Sequence, residues 1–271
     1  MRVSRTVAEV RSMLAEERAA GRSIGLVPTM GAFHAGHMAL MAASRERDDL
    51  TVVSLFVNPA QFGPSEDLAR YPRDEAADAA AAEAAGVDLL FIPSVDEMYP
   101  PGFDTWVDPG ELATVLEGAV RPGHFRGVAT VCTRLFGIAQ PTRAYFGRKD
   151  AQQVAVIKQV VRDLSLPIEI AACPTVRDPD GLALSSRNAY LSADERQVAL
   201  TLPRALAAGL DAHRAGLDAV AAARPMLDEM PGLGVDYVAV ADLDGPTLAG
   251  AIRIGSTRLI DNVRLEDPER N

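Results

Sequence analysis

Two histidines stand three residues apart near the start of the chain, at His34 and His37. They lie in PTMGAFHAGH, residues 28–37, which follows the apolar run 24–27 and precedes a stretch rich in alanine and methionine. This order predicts a buried strand, a glycine-containing turn, and a helix with both histidines in its first turn. Such a turn predicts a phosphate site, because a helix N-terminus offers unpaired N–H groups and a positive dipole end. An ordinary structural turn is the alternative, and a catalytic zinc site would need about one further protein ligand.

A lysine occupies a second strand-to-helix turn, in FGRKDAQQ, residues 146–153. Gly147 stands where the predicted strand must turn, and Asp150 with Gln153 has the spacing of a helix capping box. That spacing gives Asp150 a structural role, whereas Lys149 has none. A lysine on a glycine turn beside a helix N-terminus predicts a contact with phosphate.

Three further segments place polar side chains at the ends of predicted elements. NPAQF, residues 58–62, follows a predicted strand, and Gln61 is a neutral donor and acceptor for a small polar substrate. LSSRN, residues 184–188, sets two hydroxyls beside an arginine, a combination that can hold phosphate oxygens. RPGHFRGV, residues 121–128, is predicted to be a glycine-flexible loop whose basic side chains suit an anion. The alternatives are an Asn-Pro turn, a common surface loop and a solvated charged loop, respectively.

Composition excludes several classes of protein. The chain has 271 residues, a formal net charge of -10 and a sequence pI near 4.9, which argues against general nucleic-acid binding through a basic face. The two cysteines, Cys132 and Cys173, stand in apolar contexts and are predicted to be buried, reduced thiols in a cytosolic protein. The N-terminus becomes charged before any apolar core, so no signal peptide is expected. The chain contains no apolar run of about 18 residues, so we expect no membrane span.

The predicted elements of the first part alternate between helix and strand. A helix over 6–20 precedes the first strand, and an alanine-rich helix follows Tyr71-Pro72-Arg73 between strands at 51–57 and 87–92. Units of this kind predict right-handed crossovers and a parallel sheet. Further elements are predicted at 129–139 (helix), 144–146 (strand) and 168–172 (strand).

From residue 192 the sequence predicts helices rich in Ala, Leu and Arg, followed by strands at 235–240 and 257–260. The fold class is therefore predicted to be α/β, with a smaller α+β part at the C-terminus. We expect two domains, residues 1–175 and 176–271.

The motifs gain specificity from their order along the chain. PTMGAFHAGH, NPAQF, YPR, RPGHFRGV, FGRKDAQQ, PTVR and LSSRN follow one another, and three of the four histidines lie inside them. The set closely resembles the pantothenate synthetase family, the ATP-dependent pantoate–β-alanine ligases, over essentially the whole chain. The His-x-Gly-His element alone would indicate only the nucleotidyltransferase superfamily.

The resemblance implies a specific reaction and fold. (R)-pantoate and β-alanine are condensed at the expense of ATP to pantothenate, AMP and pyrophosphate through a pantoyl adenylate, in coenzyme A biosynthesis. The N-terminal domain should be Rossmann-like, with the C-terminal domain as a lid. The resemblance further implies a cytoplasmic homodimer that needs Mg²⁺.

Site residues also follow from the resemblance. The family's second motif histidine, here His37, is its catalytic acid, and we expect His34 and Lys149 to assist it by stabilising phosphate charge. The implied ATP-binding residues are Met30, Gly31, Ala32, Phe33, His34, Ala35, Gly36, His37, Gly147, Arg148, Lys149, Asp150, Val176, Leu184, Ser185, Ser186 and Arg187. The implied pantoate and β-alanine residues are Gln61, Gln153, Pro28 and Met30. The implied metal ligand is Asp78.

The chain departs from the family pattern at three positions. Arg148 replaces a common glutamate, which is either dispensable or exchanged for a further phosphate contact. Leu184 stands where methionine is usual, and this swap nearly conserves volume. Ala77 stands where many members have a second acid beside Asp78.

Two other functions compete with the ligase hypothesis. A different nucleotidyltransferase acting on a phosphorylated substrate would favour basic residues where Gln61 and Gln153 stand. A nucleotide sensor without activity would be expected to lose His34, His37 or Lys149, and all three are present.

Overall fold

The computed structural model describes residues 1–64 and 66–266. Contacts within the chain divide it into two compact units, Met1–Phe146 with Ala155–Cys173, and Gly147–Val154 with Pro174–Asn271. The predicted boundary between residues 175 and 176 stays a prediction, and residues 267–271 of the second predicted domain lie outside the described residues.

The first unit is built on a six-stranded sheet with the order β1-β4-β3-β2-β5-β6. The pairs β1–β4, β4–β3, β3–β2 and β2–β5 are parallel, which confirms the predicted parallel sheet. The central strands are nearly continuous apolar runs because both of their faces are covered. The strands are β1 Arg2–Ser4, β2 Ile24–Thr29, β3 Leu50–Leu55, β4 Leu89–Phe91, β5 Arg143–Gly147 and β6 Glu169–Cys173.

Helices alternate with these strands along the chain. They are α1 Val7–Ala19, α2 Ala35–Arg47, α3 Glu75–Ala84, α4 Val95–Met98, α5 Glu117–Val120, α6 His124–Ala139 and α7 Ala151–Asp163. Helix α2 packs closely on β2, and a Cβ added at Gly25 would collide with Ser44 Oγ. The buried core beneath α2 and α3 includes Met41, Val53 and Ala82.

The loop predicted over residues 121–128 is confirmed only for residues 121–123 and is wrong for residues 124–128. Helix α6 begins at His124 instead of residue 129, directly after Gly123, whose φ of 83° ends the preceding turn. Phe125 and Val128 are buried and start the apolar face of α6. In the sequence, the glycines and arginines of this segment interrupt the apolar pattern that would otherwise predict the start of a helix.

The second unit contains a three-stranded antiparallel sheet, β7 Leu233–Asp242, β8 Pro246–Ile254 and β9 Thr257–Arg264. Its helices are α8 Ala193–Ala199, α9 Thr201–Arg214 and α10 Ala219–Asp228. The sequence pattern does not predict strand β8, because its central LAGA is poor in β-branched residues. Those small residues let α9 approach, and a Cβ added at Gly250 would lie 3.0 Å from Leu202 Cδ1.

Cys132 and Cys173 are both buried, as predicted, and neither forms a disulfide within the described part of the chain; burial raises the pKa of the Cys132 thiol to about 12. Among the described residues, no helix has the length and apolar character needed to cross a membrane.

Candidate active site

The histidine turn and the NPAQF segment leave the same edge of the parallel sheet. Strands β2 and β3 are paired along their length, with Thr29 opposite Leu55 at their carboxyl ends. The N–H of Phe56 donates to the Thr29 carbonyl at 3.0 Å, which continues this pairing one residue further. Ligands of open α/β sheets bind outside the carboxyl ends of the strands, so this edge is the candidate site of the first unit.

His34 and His37 together cap the N-terminus of α2. Nδ1 of His34 accepts from the Gly36 N–H at 3.1 Å, and Nδ1 of His37 accepts from the His34 N–H at 3.3 Å. The two ring centroids are 4.2 Å apart. A neutral imidazole whose Nδ1 accepts carries its proton on Nε2. Both histidines are therefore fixed as Nε2–H donors at a helix N-terminus, which is an arrangement for binding anionic oxygen.

The turn before these histidines has left-handed backbone at two successive residues, Gly31 with φ 87° and Ala32 with φ 53°. The Asp78 carboxylate on α3 holds this turn. Its Oδ2 accepts from the Ala32 N–H at 3.0 Å, and its Oδ1 accepts from the Phe33 N–H at 2.8 Å. Asp78 is 4% exposed, whereas the neighbouring Ala77 faces solvent.

Asp78 does not fit the expected role of metal ligand. Both of its oxygens already accept backbone N–H groups, and the side chain is buried beneath the turn. In the part of the chain that the structure describes, no three His, Cys, Asp or Glu side chains are grouped to hold a metal ion.

Gln61 lies in a short 3-10 helix after β3 and is held through its side chain by Asn58. Asn58 Nδ2 donates to Gln61 Oε1 at 3.0 Å and to the Gly127 carbonyl at 3.2 Å, while Tyr99 Oη donates to Asn58 Oδ1 at 2.7 Å. Asn58 and Gln61 are 1% and 8% exposed, so this polar group is desolvated and its geometry is fixed. Gly127 of α6 is required here, since a Cβ at this position would collide with the Ala60 carbonyl.

The backbone of Gln61 is held by a second group, from the start of α6. His124 is buried; its Nδ1–H donates to the Gln61 carbonyl at 2.8 Å, and its Nε2 accepts from Arg121 Nη1 at 3.1 Å. Burial, with a smaller contribution from the Arg121 charge, lowers the pKa of His124 to about 4. His124 is therefore a neutral positioning group at pH 7.

Arg121 is neutralised by Glu66. Two hydrogen bonds of 2.7 Å join its Nε and Nη2 to the two carboxylate oxygens. Burial alone would raise the pKa of Glu66, but the hydrogen bonds and charge of Arg121 outweigh it and leave that pKa below its usual value. Arg121 therefore forms an ion pair inside the protein, whereas the sequence predicted that the basic side chains of this segment would bind an anion.

In the second unit, Lys149 stands in a 3-10 turn, Arg148–Asp150, directly before α7. The turn is anchored by Asn262 of β9, whose Nδ2 donates to the carbonyls of Arg148 and Lys149, both at 2.8 Å. Lys149 Nζ lies 3.8 Å from Asp150 Oδ1, a partly exposed pair, and Arg148 Nη2 lies 3.4 Å from Asp244 Oδ2. The pairing of Arg148 with Asp244 favours the dispensable-glutamate interpretation over a new phosphate contact.

The remaining phosphate candidates of the second unit flank one hairpin-like turn. The N–H of Leu184 donates to the Val176 carbonyl at 3.0 Å, and Ser185 Oγ accepts from the Arg187 N–H at 3.2 Å. The segment is fixed to β9 by a bidentate ion pair, in which Arg177 donates to the two Asp261 oxygens at 2.6 and 3.0 Å.

The sequence-predicted site residues thus fall into two sets, each described within its own unit. The first unit contains Pro28, Met30 to His37, Gln61 and Asp78; the second contains Gly147 to Asp150, Gln153, Val176 and Leu184 to Arg187. The sequence reasoning missed Asn58 and Asn262. Asn58 heads the NPAQF motif and could have been found there, whereas Asn262 lies two residues beyond the predicted strand and carries no local signal.

Comparison with known proteins identifies the family. The model of the family described as pantoate-beta-alanine ligase matches residues 2–264. Curated proteins named pantothenate synthetase are similar to this chain in a Roseiflexus species (54% identity over 98% of this chain and 100% of that one) and in Moorella thermoacetica (52% identity over 98% and 99%).

Solved structures agree with the sequence comparisons. Pantothenate synthetase from Thermus thermophilus superposes with a TM-score of 0.92 at 47% identity, covering 98% of this chain and 100% of that one. A pantoate-beta-alanine ligase from Francisella tularensis, complexed with beta-gamma ATP and beta-alanine, superposes with a TM-score of 0.86 at 34% identity, covering 98% of both chains.

Proposed function

Because the chain belongs to the pantoate-beta-alanine ligase family, we propose that it forms its amide in two steps, through a pantoyl adenylate. The observation that supports this route is the histidine pair of α2. Both rings are held by backbone N–H groups at Nδ1, which directs Nε2–H donors from a helix N-terminus. Such donors suit a phosphate that gains negative charge during the reaction.

The first step joins two anions. The pantoate carboxylate is ionised at neutral pH, since carboxyl groups of this kind have pKa values of about 4, so it needs no base. One carboxylate oxygen attacks the α-phosphorus of ATP, the bond to the bridging oxygen breaks, and pyrophosphate leaves. The enzyme must align the reactants and neutralise charge. We assign this to His34, His37 and Lys149, with His37 donating as the acid.

ATP is the substrate whose phosphates and adenosine the remaining candidates would bind. The backbone of the histidine turn, the Gly147 to Asp150 turn, Val176 and Leu184 provide N–H groups and packing surface. Ser185, Ser186 and Arg187 supply hydroxyl and guanidinium donors for the outer phosphates. Mg²⁺ would be bound chiefly through the ATP phosphates and water, since this small cation retains several waters and seldom occupies an all-protein site.

The pantoate site is proposed at the edge formed by Pro28, Met30 and Gln61, with Gln153 as a second amide. A buried amide fixed by Asn58 can both donate and accept, which matches a small acid that carries hydroxyl groups. Neutral amides also avoid the strong attraction for a phosphorylated acceptor that basic residues would create.

The second step is aminolysis of the adenylate. The neutral amine of β-alanine attacks the acyl carbon, AMP leaves with the oxygen that bridged carbon and phosphorus, and the amine nitrogen loses a proton. Water would compete for the same carbon, so the site must exclude it until the amine arrives.

An oxygen-labelling experiment tests this route. Pantoate carrying ¹⁸O in its carboxylate should transfer one labelled oxygen to the phosphate of AMP, detectable by mass spectrometry. Activation at the γ-phosphorus would instead place the label in inorganic phosphate and release ADP. Label found in phosphate, with AMP unlabelled, would refute the adenylate.

The assembly, location and metal follow from the family resemblance alone and are also proposals. We propose a cytoplasmic homodimer that works with Mg²⁺-ATP. Light scattering combined with size-exclusion chromatography would give the mass, and a chain that runs at one times 28.8 kDa would contradict the dimer.

A further inference from the structure

Asp78 is buried yet does not fit a metal site, so its carboxylate must have another use. We propose that Asp78 is a positioning residue that holds the phosphate turn in its active shape. The inference rests on the proposed role of His34 and His37, and it goes further by assigning the geometry of that turn to a carboxylate on α3.

The contacts of Asp78 all point to the turn. Its two oxygens accept from the successive N–H groups of Ala32 and Phe33, at 3.0 and 2.8 Å. These N–H groups come immediately before His34, the N-cap of α2. A carboxylate that accepts two backbone N–H groups makes charge-assisted hydrogen bonds, which are about twice as strong as neutral ones.

The turn itself requires such a hold. Ala32 has φ 53°, a left-handed conformation that is unfavourable for a residue with a Cβ, and this cost is offset when the carboxylate binds its N–H. Gly31 leaves room for the carboxylate, because an added Cβ would lie 2.7 Å from Asp78 Oδ2 and 2.7 Å from Leu55 Cδ1. Gly31 and Asp78 therefore act together to fix the turn: the glycine leaves the space that the carboxylate occupies.

Helix α3 holds the Asp78 side chain in position beneath the turn. Ala82, one turn beyond Asp78, is fully buried in the core of the first unit. Asp74 caps the helix, and its Oδ1 accepts from the Ala77 N–H at 3.0 Å. Asp74 is exposed and makes no part of the phosphate turn, so it offers a matched carboxylate beside the same helix.

The test compares Asp78→Asn with Asp74→Asn. In Asp78→Asn the amide has only one oxygen, so in either orientation its NH₂ group faces a backbone N–H. Asparagine is as good an N-cap as aspartate, so Asp74→Asn should behave as wild type. We expect Asp78→Asn to form pantothenate about 10- to 100-fold more slowly at saturating Mg²⁺, while the Mg²⁺ concentration for half-maximal rate is unchanged.

Two readouts do not depend on the reaction. The chain has four histidines, so their imidazole NMR signals can be assigned individually. The signals of His34 and His37 should shift in Asp78→Asn, while that of His213 stays fixed, and none should shift in Asp74→Asn. In the wild-type protein, amide exchange at Ala32 and Phe33 should be slow; this measurement applies even if the variant does not fold.

The outcomes separate the possibilities. An Asp78→Asn enzyme that regains its rate when Mg²⁺ is raised, with unmoved histidine signals, would make Asp78 a metal ligand and overturn the proposal. Rapid amide exchange at Ala32 and Phe33 in the wild type would also overturn it. An ¹⁸O result with label in inorganic phosphate and none in AMP would refute the adenylate only. The histidine shifts and the amide protection would still test the role of Asp78.

Discussion

The neutral, buried His124 predicts a specific loss of stability in mild acid. Its pKa is about 4 in the folded protein and near 6.5 for an exposed histidine. Between these two pH values the unfolded chain binds more protons than the folded chain, so stability falls as pH falls through this window. For one such group the linkage relation gives a loss of about 2 kcal/mol between pH 7 and pH 5.

The structural cause lies in both ring nitrogens. The Nδ1–H donates to the Gln61 carbonyl, and Nε2 accepts from Arg121, so a second proton on Nε2 would break one hydrogen bond and place a positive charge against that of Arg121. The carboxylates of Glu117 and Glu66 reduce this penalty without reversing it. Glu66 itself titrates in the more acidic range, because its pKa is lowered from 4.5.

The perturbation is His124→Asn, which keeps a donor near the position of Nδ1 and cannot titrate in this range. Urea unfolding of both proteins at pH 7 and pH 5 gives the free energy of unfolding under each condition. The variant is less stable at pH 7, and we expect its deficit relative to wild type to shrink by about 2 kcal/mol at pH 5. Other titrating groups cancel in this comparison, and an equal deficit at both pH values would refute the assignment of a depressed pKa to His124.

Three further variants test individual contacts. Lys149→Ala should lower the rate of adenylate formation by about 10²–10³-fold with little change in urea midpoint, since its ion pair with Asp150 is partly exposed; an unchanged rate would remove Lys149 from the mechanism. Asn262→Asp should raise the KM for ATP and cost about 1–3 kcal/mol of stability, because a carboxylate would face two carbonyl oxygens. Gln159→Glu, which alters the amide bond to the Pro109 carbonyl outside the candidate segments, is the control, and equal KM effects of the two variants would contradict the assignment. Gly127→Ala should raise the KM for pantoate more than that for ATP, because its Cβ would lie 2.7 Å from Gln61 Cα, and Gly137→Ala, at an open position of the same helix, should change neither.

Much of the fold could be predicted because its signals are local. Strands β2 and β3 are nearly continuous apolar runs, and the histidine motif marks the start of α2, although His34 is the N-cap and only His37 lies within the first turn of the helix. Strand β8 was not predicted, because its alanines and glycine are required by close packing against α9. Strand propensity reflects local sequence and does not include such tertiary contacts.

The site shows the same division between local and distant causes. The histidine turn and Lys149 are visible as motifs, but the groups that fix them are remote in sequence. Asp78 binds backbone N–H groups 45 and 46 positions away, and Asn262 binds carbonyls 113 and 114 positions away. Such contacts depend on how α3 and β9 are placed by the fold, so no pattern within either segment predicts them.

In the proposed mechanism, pantoate is activated as an adenylate before the amine reacts. The most direct measurement is exchange of labelled pyrophosphate into ATP with pantoate present and β-alanine omitted. The proposed mechanism predicts exchange that requires pantoate and that falls by about 10²–10³-fold in Lys149→Ala. Absence of exchange in wild-type protein that binds ATP and pantoate and forms pantothenate when β-alanine is added would contradict it, because the acyl group would then react without a free adenylate stage.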